Sequence, residues 1–110
     1  MIKQIQEDQM IIHQRRISYS ENYAEFFETL LKIKEHLQGK FPEVSVELMY
    51  NLAGERGYVT IQTRYPSLAD YERIDAEADK DEEYTNLLRS IVHATGDMPV
   101  DQFYRVIQGP

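Results

Sequence analysis

Two strands joined by a turn are encoded by residues 44–72, which read VSVELMYNLAGERGYVTIQTRYPSLADYE. In residues 44–51 and again in residues 58–65, apolar side chains alternate with polar ones, which is the period of a strand with one buried face. Residues 52–57 lie between these runs and contain two glycines, which favour a turn. The segment therefore predicts a β-hairpin.

The pairing of the two strands follows from their apolar faces. A register that places Leu48 opposite Ile61 also places Tyr50 opposite Val59, so the apolar side chains of both strands lie on one face of the hairpin. A shift by one residue would turn one of these apolar sets to the opposite face. The pattern therefore predicts this register.

Before the hairpin, the sequence predicts a strand over residues 10–19 and a helix over residues 21–38. Ser20 is placed to cap the helix, and Gly39 is placed to end it in the left-handed conformation. One apolar stripe at helical spacing runs along the helix and comprises Tyr23, Phe26, Phe27, Leu30, Leu31, Ile33 and Leu37.

After the hairpin, the chain predicts a short helix, a longer helical stripe and a last strand. Ser67 and Asp70 have the spacing of a capping box for a helix over residues 68–78. Apolar residues at helical spacing then continue to Gly96, which ends that segment. The alternating residues 102–107 predict the closing strand.

The predicted order is β-α-β-β-α-β, which defines an α+β, ferredoxin-like fold with an antiparallel four-stranded sheet. Right-handed crossovers place the first and third strands in the centre of the sheet and both helices on one of its faces. At 110 residues the chain is expected to be a single domain, 1–110. The open sheet face carries Met49 and Tyr58, and as an apolar surface it predicts a homodimer.

Composition excludes several classes of function. The net charge of -7 argues against nucleic acid and anionic membranes as partners, and the absence of cysteine excludes disulfides and thiolate metal sites. No apolar run is long enough to span a membrane, and the first residues lack the features of a secretory signal, so a cytoplasmic location is expected. Eight of the 19 acidic residues lie between Asp70 and Glu83, which predicts a solvated outer face. This run lacks the glycine of a calcium loop, and no metal site is predicted.

Three segments carry a resemblance to a known superfamily: HQRRISYSENYAEFFETL at 13–30, LAGERGYVTIQTRYPSLADYE at 52–72, and DQFYRVI at 101–107. They resemble the dimeric α/β barrels, in particular the barrels grouped with antibiotic-biosynthesis monooxygenases, stress-responsive proteins and NIPSNAP-like proteins. The resemblance implies subunits that pair sheet against sheet, with a cleft between helices and sheet in each subunit. Haem-degrading members use an Asn, a Trp and a His, and because this chain contains no Trp, those roles are not transferred and no cofactor is expected.

The histidines and arginines supply candidate polar groups for that cleft. His13 lies in the middle of the first strand, where it is either a cleft group or a sheet histidine with its hydrogen bonds satisfied, whereas His36 and His93 are expected in solvent. Arg15 and Arg64, together with Arg105, lie on strands predicted to be neighbours. They would bind either a ligand carboxylate or a protein carboxylate, and Glu47 is within reach of Arg64 in the predicted register.

Four of the eight tyrosines are predicted near the cleft, where packing alone is the alternative explanation. The complete set of candidate ligand-binding residues is His13, Arg15, Tyr50, Arg64, Tyr65, Tyr71 and Tyr104.

Two functions remain open at this point, and no catalytic residue is assigned. The first is a dimeric barrel that binds an apolar or amphipathic small molecule, as a cofactor-free monooxygenase or isomerase. The second is a non-catalytic module for dimerisation or partner binding, whose three candidate arginines would all pair internally and which would have no cavity.

Overall fold

The computed structural model describes residues 9–19, 21–54 and 57–107. Its elements in chain order are β1 (Ile11–Ser18), α1 (Tyr23–Lys40), β2 (Ser45–Tyr50), β3 (Tyr58–Tyr65), α2 (Leu68–Asp79), α3 (Glu82–Thr95) and β4 (Val100–Arg105).

The four strands form one antiparallel sheet in the order β2-β3-β1-β4. The predicted fold and the central positions of the first and third strands are therefore confirmed. Leu48 pairs with Ile61, and Tyr50 pairs with Val59, so the hairpin register is also confirmed. The chain between β3 and β4 forms two helices, because the helical conformation is interrupted between α2 and α3 at Lys80 and Asp81.

The core lies between the helices and one face of the sheet. Leu30 and Ile33 of α1 are completely buried. Ile17 of β1 and Val59 of β3 expose only 2% and 1% of their surface. Alternation explains this arrangement, because Ile17 and Val59 are cross-strand partners and must point to the same face. The alternate side chains of β1 and the apolar stripe of α1 are therefore buried at one interface between sheet and helix.

The ends of α1 differ from the sequence prediction. Asn22 is the N-cap, and its side chain accepts a hydrogen bond from the Glu25 N–H; Ser20 lies outside the described residues. Gly39 was expected to end the helix in the left-handed conformation, but it lies inside α1 and has no positive φ. The helix ends at Phe41, because Pro42 disfavours the helical conformation in the residue before it.

The predicted ends of the other helices are confirmed. The Ser67 hydroxyl accepts a hydrogen bond from the Asp70 N–H at the start of α2. Gly96 follows α3 with φ +74°, in the left-handed region that a side chain would disfavour.

The open face of the sheet is more polar than the sequence predicted. A row of side chains crosses all four strands: Glu47, Gln62, Gln14 and Gln102. Gln14 donates to Gln62 at 2.8 Å. The prediction of an apolar face was wrong because the four polar residues lie on separate strands, and only the register brings them into one row.

The last strand lies two residues earlier in the chain than predicted, at Val100–Arg105 instead of 102–107. This shift brings Asp101 into the sheet opposite Arg15, on the face covered by the helices. Within the described residues, no helix is both long and apolar enough to cross a lipid bilayer.

Candidate functional site

A cavity of about 90 Å³ lies between the sheet and the helices. Its apolar walls come from α1, β3, α2 and α3, and they comprise Ile33, Leu37, Ile61, Ile74, Ala78 and Leu88. Its polar side chains are His13, Arg15, Thr63, Tyr65, Asp75, Asp79 and Tyr84. Apolar walls with a few converging polar groups are the usual composition of a small-molecule site.

Asp101 organises the polar end of this cavity. One of its carboxylate oxygens, Oδ1, accepts hydrogen bonds from Arg15 Nε at 2.7 Å and from His13 Nε2 at 2.9 Å. Its other oxygen, Oδ2, accepts from a terminal nitrogen of Arg15 at 3.3 Å. The hydrogen bonds of Arg15 and His13 hold the pKa of Asp101 below its ordinary value although burial acts in the opposite direction. Asp101 is therefore a carboxylate, and it matches the charge of Arg15.

His13 is held in place from two sides. Its ring stacks on the ring of Phe103, with 4.5 Å between the centroids and an angle of 7° between the planes. Burial lowers the pKa of His13 below its ordinary value, and the hydrogen bond to Asp101 offsets this only in part. His13 is thus neutral near pH 7, with the Nε2 hydrogen donated to Asp101.

Arg15 connects this pair to a tyrosine on α3. A terminal nitrogen of Arg15 donates to the Tyr84 hydroxyl oxygen at 3.2 Å. Burial acts to lower the pKa of Arg15, but its hydrogen bond to Asp101 and its interaction with Tyr84 raise the pKa overall, so Arg15 stays charged. The hydrogen of the Tyr84 hydroxyl remains available to another acceptor, because the oxygen acts here only as an acceptor.

His13 Nδ1 and the Tyr65 hydroxyl are among the polar groups at this cavity that make no hydrogen bond with the described residues. No described side-chain nitrogen or oxygen is both fully buried and without a hydrogen bond, so these two atoms keep some accessible surface. They offer a bound molecule hydrogen bonds that the protein does not use.

An aromatic wall separates this cavity from an outer groove. Tyr71 contacts both Tyr65 and Phe103, with ring centroids 5.1 and 5.2 Å apart. The outer groove encloses about 320 Å³ and is lined by Ile11, Leu68, Tyr71, Phe103, Tyr104 and Arg105.

The candidate residues from the sequence do not all meet in one place. His13, Arg15 and Tyr65 meet at the inner cavity, and Tyr71 and Tyr104 line the outer groove. Tyr50 is exposed at the end of β2 and is not among the residues that line the cavity.

The three candidate arginines do not form one cluster. Arg64 lies on the opposite face of the sheet, where its Nε donates to Glu47 at 3.1 Å, as the register predicted. Arg105 lines the outer groove and makes no hydrogen bond or ion pair with the described residues. The three arginines therefore lie in three separate surroundings, although their strands are neighbours in the sheet.

Four residues that line or border the cavity were not among the candidates from the sequence. Asp101 lay just before the predicted last strand, although extending the alternation by one residue would have placed it on the face of Phe103. Tyr84 lies in the apolar helical stripe that ends at Gly96. Asp75 and Asp79 are exposed, as the solvated acidic run predicted, but both also line the cavity.

A second charged cluster lies away from the cavity and corrects the placement of His36. Its Nε2 and the Asp81 Oδ2 are 2.6 Å apart, and Lys40 Nζ is 2.9 Å from the same oxygen. His36 is therefore largely buried between α1 and the α2–α3 junction, whereas His93 is exposed as predicted. Among the described residues, no group of three or more His, Cys, Asp or Glu side chains has the arrangement of a metal site.

Several solved structures share this fold. A candidate antibiotic biosynthesis monooxygenase from Caulobacter crescentus CB15 has a TM-score of 0.73 at 13% identity over 97% of this chain and 98% of its own. SnoaB, a cofactor-independent oxygenase from Streptomyces nogalater, has a TM-score of 0.66 at 10% identity over 93% and 96%. A NIPSNAP family protein from Agrobacterium tumefaciens has a TM-score of 0.66 at 13% identity over 89% and 86%.

No protein-family model and no curated protein matches the sequence. The structural neighbours confirm the resemblance at the level of fold: this chain has the ferredoxin-like fold found in the antibiotic-biosynthesis-monooxygenase-like and NIPSNAP-like structures. At these identities the likeness extends to the fold alone.

Proposed function

We propose that this protein binds a small, partly apolar molecule in the cavity between sheet and helices, and that it acts as a cofactor-free monooxygenase or isomerase on it. The observation that carries the proposal is the cavity itself, where apolar walls meet His13 and Tyr65, whose Nδ1 and hydroxyl make no hydrogen bond with the described residues. The cofactor-independent oxygenase among the structural neighbours is compatible with this chemistry.

A binding experiment with a cavity-filling variant tests the proposal. Phenol and cyclohexanone serve as probes, and the methyl NMR signals of Ile33, Ile61 and Ile74 report on the cavity walls. We expect concentration-dependent shifts of these signals. Ala78→Leu adds a side chain that competes for the cavity and should weaken binding about tenfold, a change of about 1.4 kcal/mol.

The matched control is Ala76→Leu, which makes the same change on the exposed side of α2 and should bind as the wild type does. Equal binding by Ala78→Leu and the wild type would place the probes elsewhere. If neither probe shifts the cavity signals, the proposal is wrong.

The second candidate function, a non-catalytic module, is favoured by one observation. Arg15 and Arg64 are each paired with a carboxylate of this chain, Asp101 and Glu47 respectively, as expected when no ligand needs them. The cavity itself favours the first function. The cytoplasm stays our prediction for the location of either.

We also propose that two copies of the chain pair through their open sheet faces. Gln14 and Gln102 of the polar row on this face keep accessible amides that can both donate and accept, so they can pair with the same residues of a second copy. Beside this row, the apolar side chains of Val100 and Tyr104 on the edge strand are exposed. Met98 and Ile107, just outside the two ends of this strand, are also exposed. Apolar surface around a self-complementary polar row favours a homodimer.

Light scattering after size-exclusion chromatography should give twice the 13.0 kDa mass of the chain. Val100→Glu introduces a charge on the open face without removing a buried side chain, and it should shift the protein toward the monomer. Ser90→Glu makes the same charge change on exposed α3 and should leave the mass unchanged. A monomeric wild type at micromolar concentration would contradict the proposed dimer.

A further inference from the structure

We infer that His13 accepts a proton from a neutral molecule bound in the cavity, through Nδ1, and that Asp101 is the residue that positions it. The inference rests on the proposed function and names the class of substrate: a carbon or oxygen acid that is uncharged when it binds, such as a phenol or an enolisable ketone.

The hydrogen-bond geometry determines which nitrogen can act. Asp101 Oδ1 lies within hydrogen-bond distance of His13 Nε2, at 2.9 Å. Because a carboxylate can only accept, the ring hydrogen lies on Nε2. Nδ1 then carries the free lone pair; it is not fully buried, and its residue lines the cavity. The stacking on Phe103 holds the ring in its plane, so the lone pair keeps one direction.

The same cavity contains donors for the anion that proton removal leaves behind. When the C–H or O–H bond of the substrate breaks, its electron pair stays on the substrate as an enolate or phenolate oxygen. Arg15 supplies a permanent charge, and the hydroxyl hydrogens of Tyr84 and Tyr65 are free to point at that oxygen. The proton becomes part of a His13 imidazolium, which Asp101 stabilises.

The step balances without any further reactant. One proton moves from the substrate to His13, and no electron leaves the substrate. When His13 returns the proton to a different atom of the same molecule, the product is an isomer.

The charges around the cavity favour a neutral substrate over a carboxylate. Arg15 is already matched by Asp101 in a two-point contact. Asp75 and Asp79 add negative charge to the cavity wall, with no positively charged side chain other than Arg15 among the lining residues. A ligand carboxylate would therefore meet an unfavourable field and would lose its hydration without a free partner.

The size of the cavity limits the substrate. At about 90 Å³ it is smaller than the engineered cavity of ~150 Å³ that admits benzene, so a ring could enter only in part, with its other substituents in the open mouth. A short-chain compound would fit within it.

His13 faces charged and titratable groups on every element around it. These are Arg15 on β1, Tyr65 on β3, Asp75 on α2, Tyr84 on α3 and Asp101 on β4. Burial keeps the pKa of His13 below its ordinary value, so the base is largely unprotonated at neutral pH and able to accept a proton from a bound acid.

The test uses 4-nitrophenol, whose phenolate absorbs at a longer wavelength than the neutral phenol. At a pH where the free compound is neutral, we expect the phenolate band to appear as the wild type is titrated in. His13→Gln keeps a side-chain donor for Asp101 but has no basic nitrogen. It should still shift the isoleucine methyl signals of the cavity, without the phenolate band. The control His93→Gln, at an exposed histidine, should behave as the wild type.

Two further measurements examine Asp101 and the choice of a neutral ligand. In the wild type, ¹⁵N NMR should find Nδ1 of His13 without a proton. In Asp101→Asn, the same spectra should show both tautomers of His13, and the bound phenolate fraction should be lower. 4-Nitrobenzoate, of similar size but charged, should bind at least about tenfold more weakly than 4-nitrophenol, a difference of about 1.4 kcal/mol.

The outcomes separate this inference from the proposed function. Binding of 4-nitrophenol without ionisation, or ionisation that persists in His13→Gln, overturns the inference and leaves the binding site intact. A proton on Nδ1 in the wild type also overturns it. Failure of every neutral probe to shift the cavity signals overturns the proposed function, and the inference with it.

Discussion

Replacing Asp81 with alanine should lower the free energy of unfolding by about 3 kcal/mol, the sum of a lost helix cap and lost charged hydrogen bonds. Asp81 caps α3 by accepting from the Tyr84 N–H at 3.1 Å, and its other oxygen binds His36 and Lys40. The side chain is only 7% exposed, so water cannot replace these contacts. Thermal unfolding should show a midpoint at least about 10 °C lower.

Asp81→Asn separates the two contributions. Asparagine is also a good helix cap, so this variant should lose about 2 kcal/mol from the charged contacts alone. Glu83→Ala is the matched control, because Glu83 also contacts His36 but is 71% exposed, and it should cost less than about 1 kcal/mol. Similar losses in all three variants would contradict the role given to Asp81.

The same cluster predicts how stability depends on pH. The hydrogen bonds of Lys40 and His36 hold the pKa of Asp81 far below its usual range, although burial acts against them. A carboxyl with a lowered pKa in the folded state contributes its full stability above its unfolded pKa, about 3.9, and loses that contribution as the pH falls further. Wild type should therefore lose stability below about pH 4 more steeply than Asp81→Asn does, as measured by urea unfolding at a series of pH values.

Replacing Asp101 with alanine should cost about 2 kcal/mol, because it leaves the Arg15 guanidinium without its carboxylate. Breaking a fully buried pair costs more, but Asp101 is 35% exposed and Arg15 is 22% exposed, so water compensates in part. The double variant Arg15→Met with Asp101→Leu should recover most of the loss, since no charge is then left unpaired.

The pair of Arg64 and Glu47 is the control for this measurement. Its side chains are 41% and 47% exposed, so Glu47→Ala should cost less than about 1 kcal/mol. The Asp101 variant also has a titration readout. Without the hydrogen bond that raises it, the pKa of His13 should fall still further below its ordinary value, as followed by NMR of the ring protons. An unchanged or raised pKa would show that Asp101 does not control His13.

The fold and the hairpin were predictable because both depend on local periodicity. The alternation in residues 44–51 and 58–65 selects a register in which the apolar faces coincide, and a slip by one residue would expose one of these faces. The errors at Gly39 and at the start of β4 are errors of element ends, where the signal from each residue is weakest.

The candidate site was predictable only in part. The shared face of His13 and Arg15 follows from the sequence, because they are two residues apart in one strand. That this face is the covered one depends on where the helices pack, and each face of the strand contains both apolar and charged residues. The partner of both side chains, Asp101, is 88 residues away from His13 along the chain.

The sequence by itself determined the order of the elements, the pairing of the hairpin and the ferredoxin-like fold, because these follow from the spacing of apolar residues along short stretches. Only the tertiary structure decided that the helices cover the face shared by His13 and Arg15, and that Asp101 neutralises Arg15 and orients His13. The physical reason is that spacing specifies which residues share a face, whereas charge pairing and cavity access depend on which faces and strands meet in three dimensions.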